Sequence, residues 1–315
     1  MNKKTNNLKW HLLFIFTIGL ISAGVYVASQ SINYKWQWHL VWPYIIDTSP
    51  MDIIAQGDAT ASVDAAGTLT LTYDNGDPDT VISNASQLLV SEGDFIYEGD
   101  QIARVDSVRS GLLLDGLYMT LKISVISLLF SIAIGLITAL MRISANPFFK
   151  NLAILYIEII RGTPLLVQIF IVYFFLGTVF DLDKFTAGVV ALSVFTGAYV
   201  AEILRSGIQS ISVGQMEAAR SLGMTYPKAM IYVILPQAFR RTLPPMAGQL
   251  ITLIKDSSLV SVISITDLTK AGREVVSGSF ATFEVWFTVA VLYLLLTSTL
   301  SWVIQRIEKR LASND

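Results

Sequence analysis

The chain has 315 residues, 53% of them hydrophobic and only 15% charged, with a formal net charge of −2. A soluble domain carries about 25% charged residues, so this composition excludes an ordinary water-soluble globule and points to a membrane protein. With no cysteine and only two histidines, His11 and His39, both outside the long apolar segments, the sequence offers no disulfide, no thiol nucleophile and no His- or Cys-based metal site.

Crossing about 30 Å of hydrocarbon takes roughly 20 helical residues. Six segments are long enough: 12–28, 118–141, 152–179, 186–204, 243–265 and 285–304. The first, preceded by Lys9, also has the shape of a secretory signal peptide, although no small-x-small site ends its apolar run. With the N-terminus inside, the inner segments hold 13 Lys/Arg in 68 residues and the outer ones 6 in 110. Basic residues stay on the cytoplasmic side, so both termini are expected there.

The first outer loop differs in texture. Residues 31–111 carry twelve acidic and three basic residues. "GTLTLTYDNGDPDTVI" (67–82) alternates β-prone and small residues before a turn cluster at Asp74-Asn75-Gly76-Asp77-Pro78. "LLVSEGDFIYEGDQIARV" (88–105) places Glu-Gly-Asp at 92–94 and again at 98–100, as turns between short strands. The spacing is similar to half of a lipoyl-type sandwich, but no lysine stands at a turn to be modified. The expectation is a small acidic β module, either simply solvated or docking a partner.

From Gly111 onward the chain reads as five helices joined by one long inner connection, 205–238. No G-x-x-x-x-G-K-[ST], H-E-x-x-H or G-x-S-x-G occurs, so neither nucleotide hydrolysis by a phosphate loop nor metallo- or serine hydrolysis has residues to stand on. The connection contains "GQMEAARSLGMTYPKAMIYVILPQAFRR" (214–241). Ser212 or Gly214 opens a helix with Glu217 in its first turns, favourable to the helix dipole. Ala218 and Ala219 leave room for close approach, and Gly223 suits a left-handed C-cap. Thr225 and Pro227 then start a second helix that Pro236 is expected to end. Such a pair is made either for a partner's groove or to rest on lipid.

"EAARSLGMTYPKAMIYVILP" (217–236) resembles the EAA loop of binding-protein-dependent ABC importer permeases, a pattern of E-A-A, three residues, G, nine residues, I-x-L-P. Glu217, Ala218, Ala219, Gly223, Leu235 and Pro236 match, with Val233 where isoleucine is usual. "IEIIRGTPLLVQIF" (157–170) and "IKDSSLVSVISITDL" (254–268) look like the histidine, glutamine, glutamate and arginine permeases of that family. The resemblance covers about 111–311. It implies a type I importer permease core of five transmembrane helices. With the extra N-terminal transmembrane helix and the inserted β-rich periplasmic module read from the sequence above, the expected fold is an all-α integral membrane protein carrying that module. The expected organisation is 1–29 (tail and first helix), 30–110 (acidic periplasmic insertion) and 111–315 (permease core, coupling loop at 212–236). The resemblance further implies a transport subunit without catalysis, cofactor or metal, placed in a bacterial inner membrane. Its implied partners are a cytoplasmic ATP-binding subunit pair gripping Glu217, Ala218, Ala219 and Gly223, a periplasmic amino-acid-binding protein, a second permease (a sister or a copy), membrane lipid and a polar amino-acid substrate. Nothing points to nucleic acid. The rival reading is a membrane-anchored sensor whose outer β module binds a ligand.

Ionisable residues inside spans cost about 2.5–3.5 kcal/mol each on insertion scales and need a reason. Glu158 and Arg161, three apart, are expected to pair just before a break at Gly162-Thr163-Pro164. Glu202 and Arg205 form a second such pair, Lys255-Asp256 with Ser257 a third group, and Lys122 is expected to snorkel to the outer surface. A zwitterionic amino acid needs an acceptor for its ammonium, which Glu202 or Asp256 would supply, and donors for its carboxylate, which Arg161 and Thr163 would supply. Gln168 and Ser257 fit either this pathway or hydrogen bonds between helices, and ion pairs that only fix packing would look the same.

Overall fold

The computed structural model describes residues 3–32, 34–64, 67–73 and 78–312, with helical side chains from residue 9 to residue 306. The chain divides into two compact units, Met1–Leu40 and Val41–Asp315. The first is the helix α1 (Lys3–Ser31) followed by a 3₁₀ turn at Trp38–Leu40. Within α1 the segment Lys9–Ser31 is long and apolar enough to cross a membrane, and it presents apolar side chains all round.

The second unit begins with the acidic module, which is β-rich as its alternation predicts. Strand β1 (Ile46–Asp47) pairs with β9 (Arg109–Ser110). Strands β2 (Met51–Ile54), β6 (Gln87–Leu88) and β8 (Gln101–Val105) form a sheet in the order β2-β8-β6. A four-stranded sheet runs β5-β4-β3-β7, built from β3 (Ala59–Val63), β4 (Leu69–Tyr73), β5 (Thr80–Ile82) and β7 (Phe95–Ile96). Alternate residues Ala59, Ala61, Leu69 and Leu71 face inward and close a core with Ile82, Ile96 and Ile102. The two Glu-Gly-Asp turns are built alike. Gly93 and Gly99 take φ of 82° and 94°, and the Asp94 and Asp100 carboxylates accept from the backbone N–H of Ser91 and Tyr97 at 2.7 and 2.9 Å. The predicted turn at 74–78 lies, except for Pro78, outside the described residues.

The rest is helical: α2 (Leu112–Arg142), α3 (Pro147–Gly162), α4 (Leu165–Phe170) running through a π-helical stretch (Ile171–Leu176) into α5 (Gly177–Phe180), and α6 (Lys184–Gln209). There follow α7 (Val213–Ser221), α8 (Tyr226–Ala229), a π stretch (Met230–Ile234), α9 (Leu235–Asp256), a 3₁₀ stretch (Ser257–Ile263), α10 (Leu268–Ser279) and α11 (Thr282–Ala312). Among the described residues five helices are long and apolar enough to span, or six if the bent pair Pro147–Gly162 and Leu165–Phe180 is one span. That pair bends by 106°, as the missing N–H and ring of Pro164 predict.

Two expectations are corrected here. Pro236 does not end its helix: the helical path continues from Tyr226 to Ile263, through Pro236, Pro244 and Pro245. The π stretch immediately before Pro236 re-phases the hydrogen-bond ladder, so the absent N–H falls in the first turn of α9 and leaves no new gap. The span expected at 243–265 consequently begins within a longer helical run. Glu217 stands in the second turn of α7, which opens at Val213 after Ser212, as expected.

The centre of the bundle is the α2–α6 crossing. Small residues let the backbones approach: a Cβ on Gly135 would fall 2.5 Å from Val200 Cγ1, and one on Gly197 2.9 Å from Ile134 Cγ2. Across the same seam Ser193 Oγ reaches Ser127 O at 3.2 Å, while its shorter bond, 2.6 Å, goes to Val189 O one turn back on its own helix. These bonds satisfy polar groups that hydrocarbon cannot.

Candidate coupling loop and charged cluster

Residues 212–236 form a short helix, a sharp turn and the start of the next long helix. Gly223 has φ of 86°, its N–H donates to Arg220 O at 3.0 Å, and the Met224 N–H reaches back to Ala219 O at 3.2 Å. This is a Schellman cap, and it is the local reason α7 stops where it does. No atom lies within 4 Å of a Cβ built on Gly223, so the position demands glycine through its dihedral and not through space.

One face of α7 is fastened to the bundle. Ala219 is buried, Met216 packs on the cluster of Ile208, Ile211, Met230, Ile234 and Ala238, and Gln237 Nε2 on α9 donates to Gln215 Oε1 at 3.3 Å. Arg241 Nη1 ties α9 to the end of α6 through Ser210 O at 2.6 Å. The opposite face carries Glu217 and Ala218, both exposed, and Leu222 at the turn is 85% exposed. The loop is therefore held by the end of α6 and by α9 with the π stretch before it on one side, and is open on the other.

Beside it lies a charged cluster. Arg205 Nη2 approaches Glu202 Oε2 at 2.8 Å, the expected pair, and Arg142 Nε stands 3.7 Å from Glu202 Oε1. Arg161 does not pair with Glu158: among the described residues no ion pair joins them. Its guanidinium lies 5.2 Å from the centroid of the Tyr199 ring, and its charge also acts on Glu202. A face of α6 offers Arg161 a ring and a carboxylate together, which an exposed Glu158 on its own helix cannot match. Lys122 stands over the ring of Phe185 at 5.1 Å.

The remaining predicted residues are scattered. Gln168 Nε2 donates to Ile160 O at 2.8 Å and to Thr163 Oγ1 at 2.7 Å, so it closes the broken end of α3 from within the bend, while its own carbonyl oxygen is buried without a partner. Ser257 is buried and donates back to Ile254 O at 2.8 Å. Asp256 is half-buried, and among the described residues no hydrogen bond or ion pair joins it to the Glu202 cluster. The structure thus gathers Arg161, Glu202 and Arg205 with Arg142, links Thr163 to Gln168, and leaves Asp256 and Ser257 apart.

Residues not singled out from sequence also matter. Arg142 reads as one more inner-loop cation because it is the last residue of α2. Asp267 is fully buried, accepting from the backbone N–H of Thr269 and Lys270 at 3.0 Å each, and burial pushes its carboxyl above the usual range. Glu284, buried in the first turn of α11, falls one residue before the apolar run that marks the last span. By contrast Asp183, the N-cap of α6, is held below the usual range, chiefly by the Thr186 hydroxyl. Among the described residues no group of His, Asp and Glu could hold a metal.

A bundle of helices long and apolar enough to span, one pair of them bent by 106°, with a short surface helix packed on one end, has the build of an integral membrane protein. The family model described as "Binding-protein-dependent transport system inner membrane component" matches residues 131–313, and the chain belongs to that family. The glutamine transport system permease protein GlnP of Escherichia coli (strain K12) is 43% identical over 203 residues, 64% of this chain and 93% of that one. The probable glutamine ABC transporter permease protein GlnM of Bacillus subtilis (strain 168) is 44% identical over 201 residues, 64% of this chain and 93% of that one. Among solved structures, an amino acid ABC transporter described with histidines aligns at a TM-score of 0.58 and 43% identity, covering 63% of this chain and 94% of that one. The chain is accordingly a transport subunit, and ATP hydrolysis belongs to separate subunits.

Proposed function

We propose that this chain is the membrane-spanning subunit of an ATP-driven, binding-protein-dependent importer of polar amino acids, coupled to a cytoplasmic ATPase through the loop at 212–236. The observation that carries the coupling role is the two-faced geometry of α7. Ala219 and Met216 anchor it to the bundle, while Glu217, Ala218 and the exposed Leu222 are offered outward on a capped, rigid turn. A short helix with one free face suits a groove in a partner, and its ties to α6 and α9 would transmit a push from that partner into the spans. The polar amino-acid substrate class is supported by the relatives named for glutamine transport and by the charged residues within the spans.

In this reading both termini are cytoplasmic and residues 30–110 periplasmic, in a bacterial inner membrane, as the Lys/Arg asymmetry supports. The partners are a cytoplasmic ATP-binding pair, a periplasmic amino-acid-binding protein and a second permease, sister or copy. Arg161, Thr163, Gln168, Glu202, Asp256 and Ser257 remain the candidate solute pathway. Of these, Glu202, held by Arg205 at 2.8 Å, and Arg161, over the Tyr199 ring, would be the acceptor and the donor for the two ends of a zwitterion. The sensor reading has no use for a bundle that matches amino-acid permeases along 64% of the chain.

The test is Gly223→Asp. Forcing a side chain into φ of 86° costs about 1–2 kcal/mol, concentrated in the cap. The variant should reach the membrane at normal levels and retain its overall fold, yet lose uptake of labelled glutamine or arginine in cells carrying the whole transporter. Normal uptake would remove the coupling role from this loop.

A further inference from the structure

We propose that the coupling-loop end of the bundle holds a bound anionic phospholipid, its phosphate between Arg142, Lys150 and Arg205 and an acyl chain in the adjoining apolar pocket. The inference needs the chain to lie in a bilayer but does not depend on the coupling role of α7.

Two cavities meet there. One, of about 430 Å³, is lined by Arg142, Lys150 and Arg205 together with Ser144, Gln209 and Tyr226. The other, of about 440 Å³, is lined by Leu140, Ile143, Ala145 and Met230. Ile143, Ser144, Tyr226 and Met230 border both, so a cationic chamber opens beside an apolar one. A free phosphate or nucleotide would use the first and leave the second empty. A molecule with a charged head and a hydrocarbon tail uses both.

The charge balance favours an anion. Glu202 lies 2.8 Å from Arg205 and 3.7 Å from Arg142, and a single carboxylate cannot neutralise two guanidiniums and an ammonium. Lys150 makes no ion pair among the described residues. Arg142 Nε is buried without a hydrogen-bond partner, and a buried charged donor left so is costly until an acceptor arrives. Arg205 is already committed to Glu202 and, through Nη1, to Gln209 Oε1 at 2.6 Å, which fixes its fork at the pocket wall. Phosphate oxygens match guanidinium donors well, and basic pockets between membrane helices are where acidic headgroups lodge. The apolar wall explains why a phospholipid, and not a soluble phosphate, fits the whole space.

Native mass spectrometry of the full chain, purified with its co-expressed subunits, tests this with added phosphatidylglycerol, phosphatidylethanolamine or glycerol 3-phosphate as separate probes. Phosphatidylglycerol should be retained in preference to phosphatidylethanolamine. Lys150→Gln, on an exposed stem that carries no packing, should lower that retention by about fivefold, the worth of one basic residue at a charged membrane surface. Arg142→Gln should lower it at least as much, and Ala145→Trp, which fills the apolar pocket, should lower lipid retention as well. Unchanged retention in Lys150→Gln and Arg142→Gln would overturn the proposal, as would equal retention of the two phospholipids. Displacement of phosphatidylglycerol by glycerol 3-phosphate at equal concentration would also overturn it, in favour of a free anion. The same spectra report whether partner subunits are still bound, so a failure of the coupling reading is seen separately.

Discussion

Asp267 shows how much one buried side chain decides. It caps α10 through two backbone N–H bonds, lies 3.4 Å from the Tyr293 hydroxyl, and has no exposed surface. Burial is the larger influence and raises its carboxyl above the ordinary 3.8, with the hydrogen bonds pulling back less. In the window above 3.8 the folded chain therefore binds more protons than the unfolded one, so stability must rise as pH falls through that window. Asparagine caps about as well as aspartate but does not titrate. Asp267→Asn should thus be the less pH-sensitive protein. In thermal unfolding of detergent-purified samples, wild type should gain on the variant as pH is lowered from 7 towards about 5. A difference that stays constant across the scan would show that the carboxylate is adequately solvated by its hydrogen bonds. Asp267→Ala, which strands two N–H groups, should cost about 1–2 kcal/mol at any pH in that range.

At the scale of elements, the α2–α6 seam limits what can change. Gly135→Ala places a methyl against Val200 Cγ1, and overpacking of this kind costs about 1–3 kcal/mol. Val200→Ala leaves a void when made alone, yet in the double variant it removes the 2.5 Å contact with Cγ1 and leaves the 2.8 Å approach to the residue-200 Cβ, so the clash is relieved in part. The two losses should therefore sum to less than expected, with a favourable coupling of at least about 0.5 kcal/mol in the unfolding cycle. Strict additivity would mean that the helices slide apart instead of clashing. This seam was not legible in the sequence, because a glycine inside an apolar run does not announce which residue faces it. What could be read was local. The break at Thr163-Pro164 and the cap at Gly223 are each set by the covalent limits of one residue, so they were expected and are found. The ends of helices that tertiary contacts adjust were misread: Pro236 is tolerated because a π stretch precedes it, and Arg161 leaves Glu158 for Tyr199 because the better partners arrive from another helix. Among the candidate pathway residues, residue type and spacing told which ones needed a reason to be in a span. They did not tell that Ser257 and Gln168 would spend their donors on nearby backbone.

At the scale of the whole molecule, the acidic module is an insertion whose two ends meet. Ile46 and Asp47 pair with Ser110 and Arg109, and an Asp47–Arg109 bridge of 2.9 Å closes the stalk. Gly111 then enters α2 so close to the Tyr44 carbonyl that no Cβ would fit, while its N–H donates to Ile45 O at 2.8 Å. Everything between Asp47 and Arg109 has a hydrophobic core of its own, centred on Leu69, Leu71, Ile96 and Ile102, and needs nothing from the spans for its burial. The module should therefore be separable. Because Asp47 and Arg109 are directly opposed, an Asn-Gly pair can replace residues 48–108 as a two-residue hairpin turn without moving either end. The shortened chain should insert in the membrane and still copurify with its ATPase, because the coupling loop sits at the other end of the permease in the proposed topology. Uptake should fall if the module helps a binding protein deliver solute, and should be unchanged if the module is only a solvated ornament on the outer face. Loss of the ATPase from the purified complex would have a different meaning: it would place the module on the same side as α7 and overturn the topology drawn from the Lys/Arg distribution.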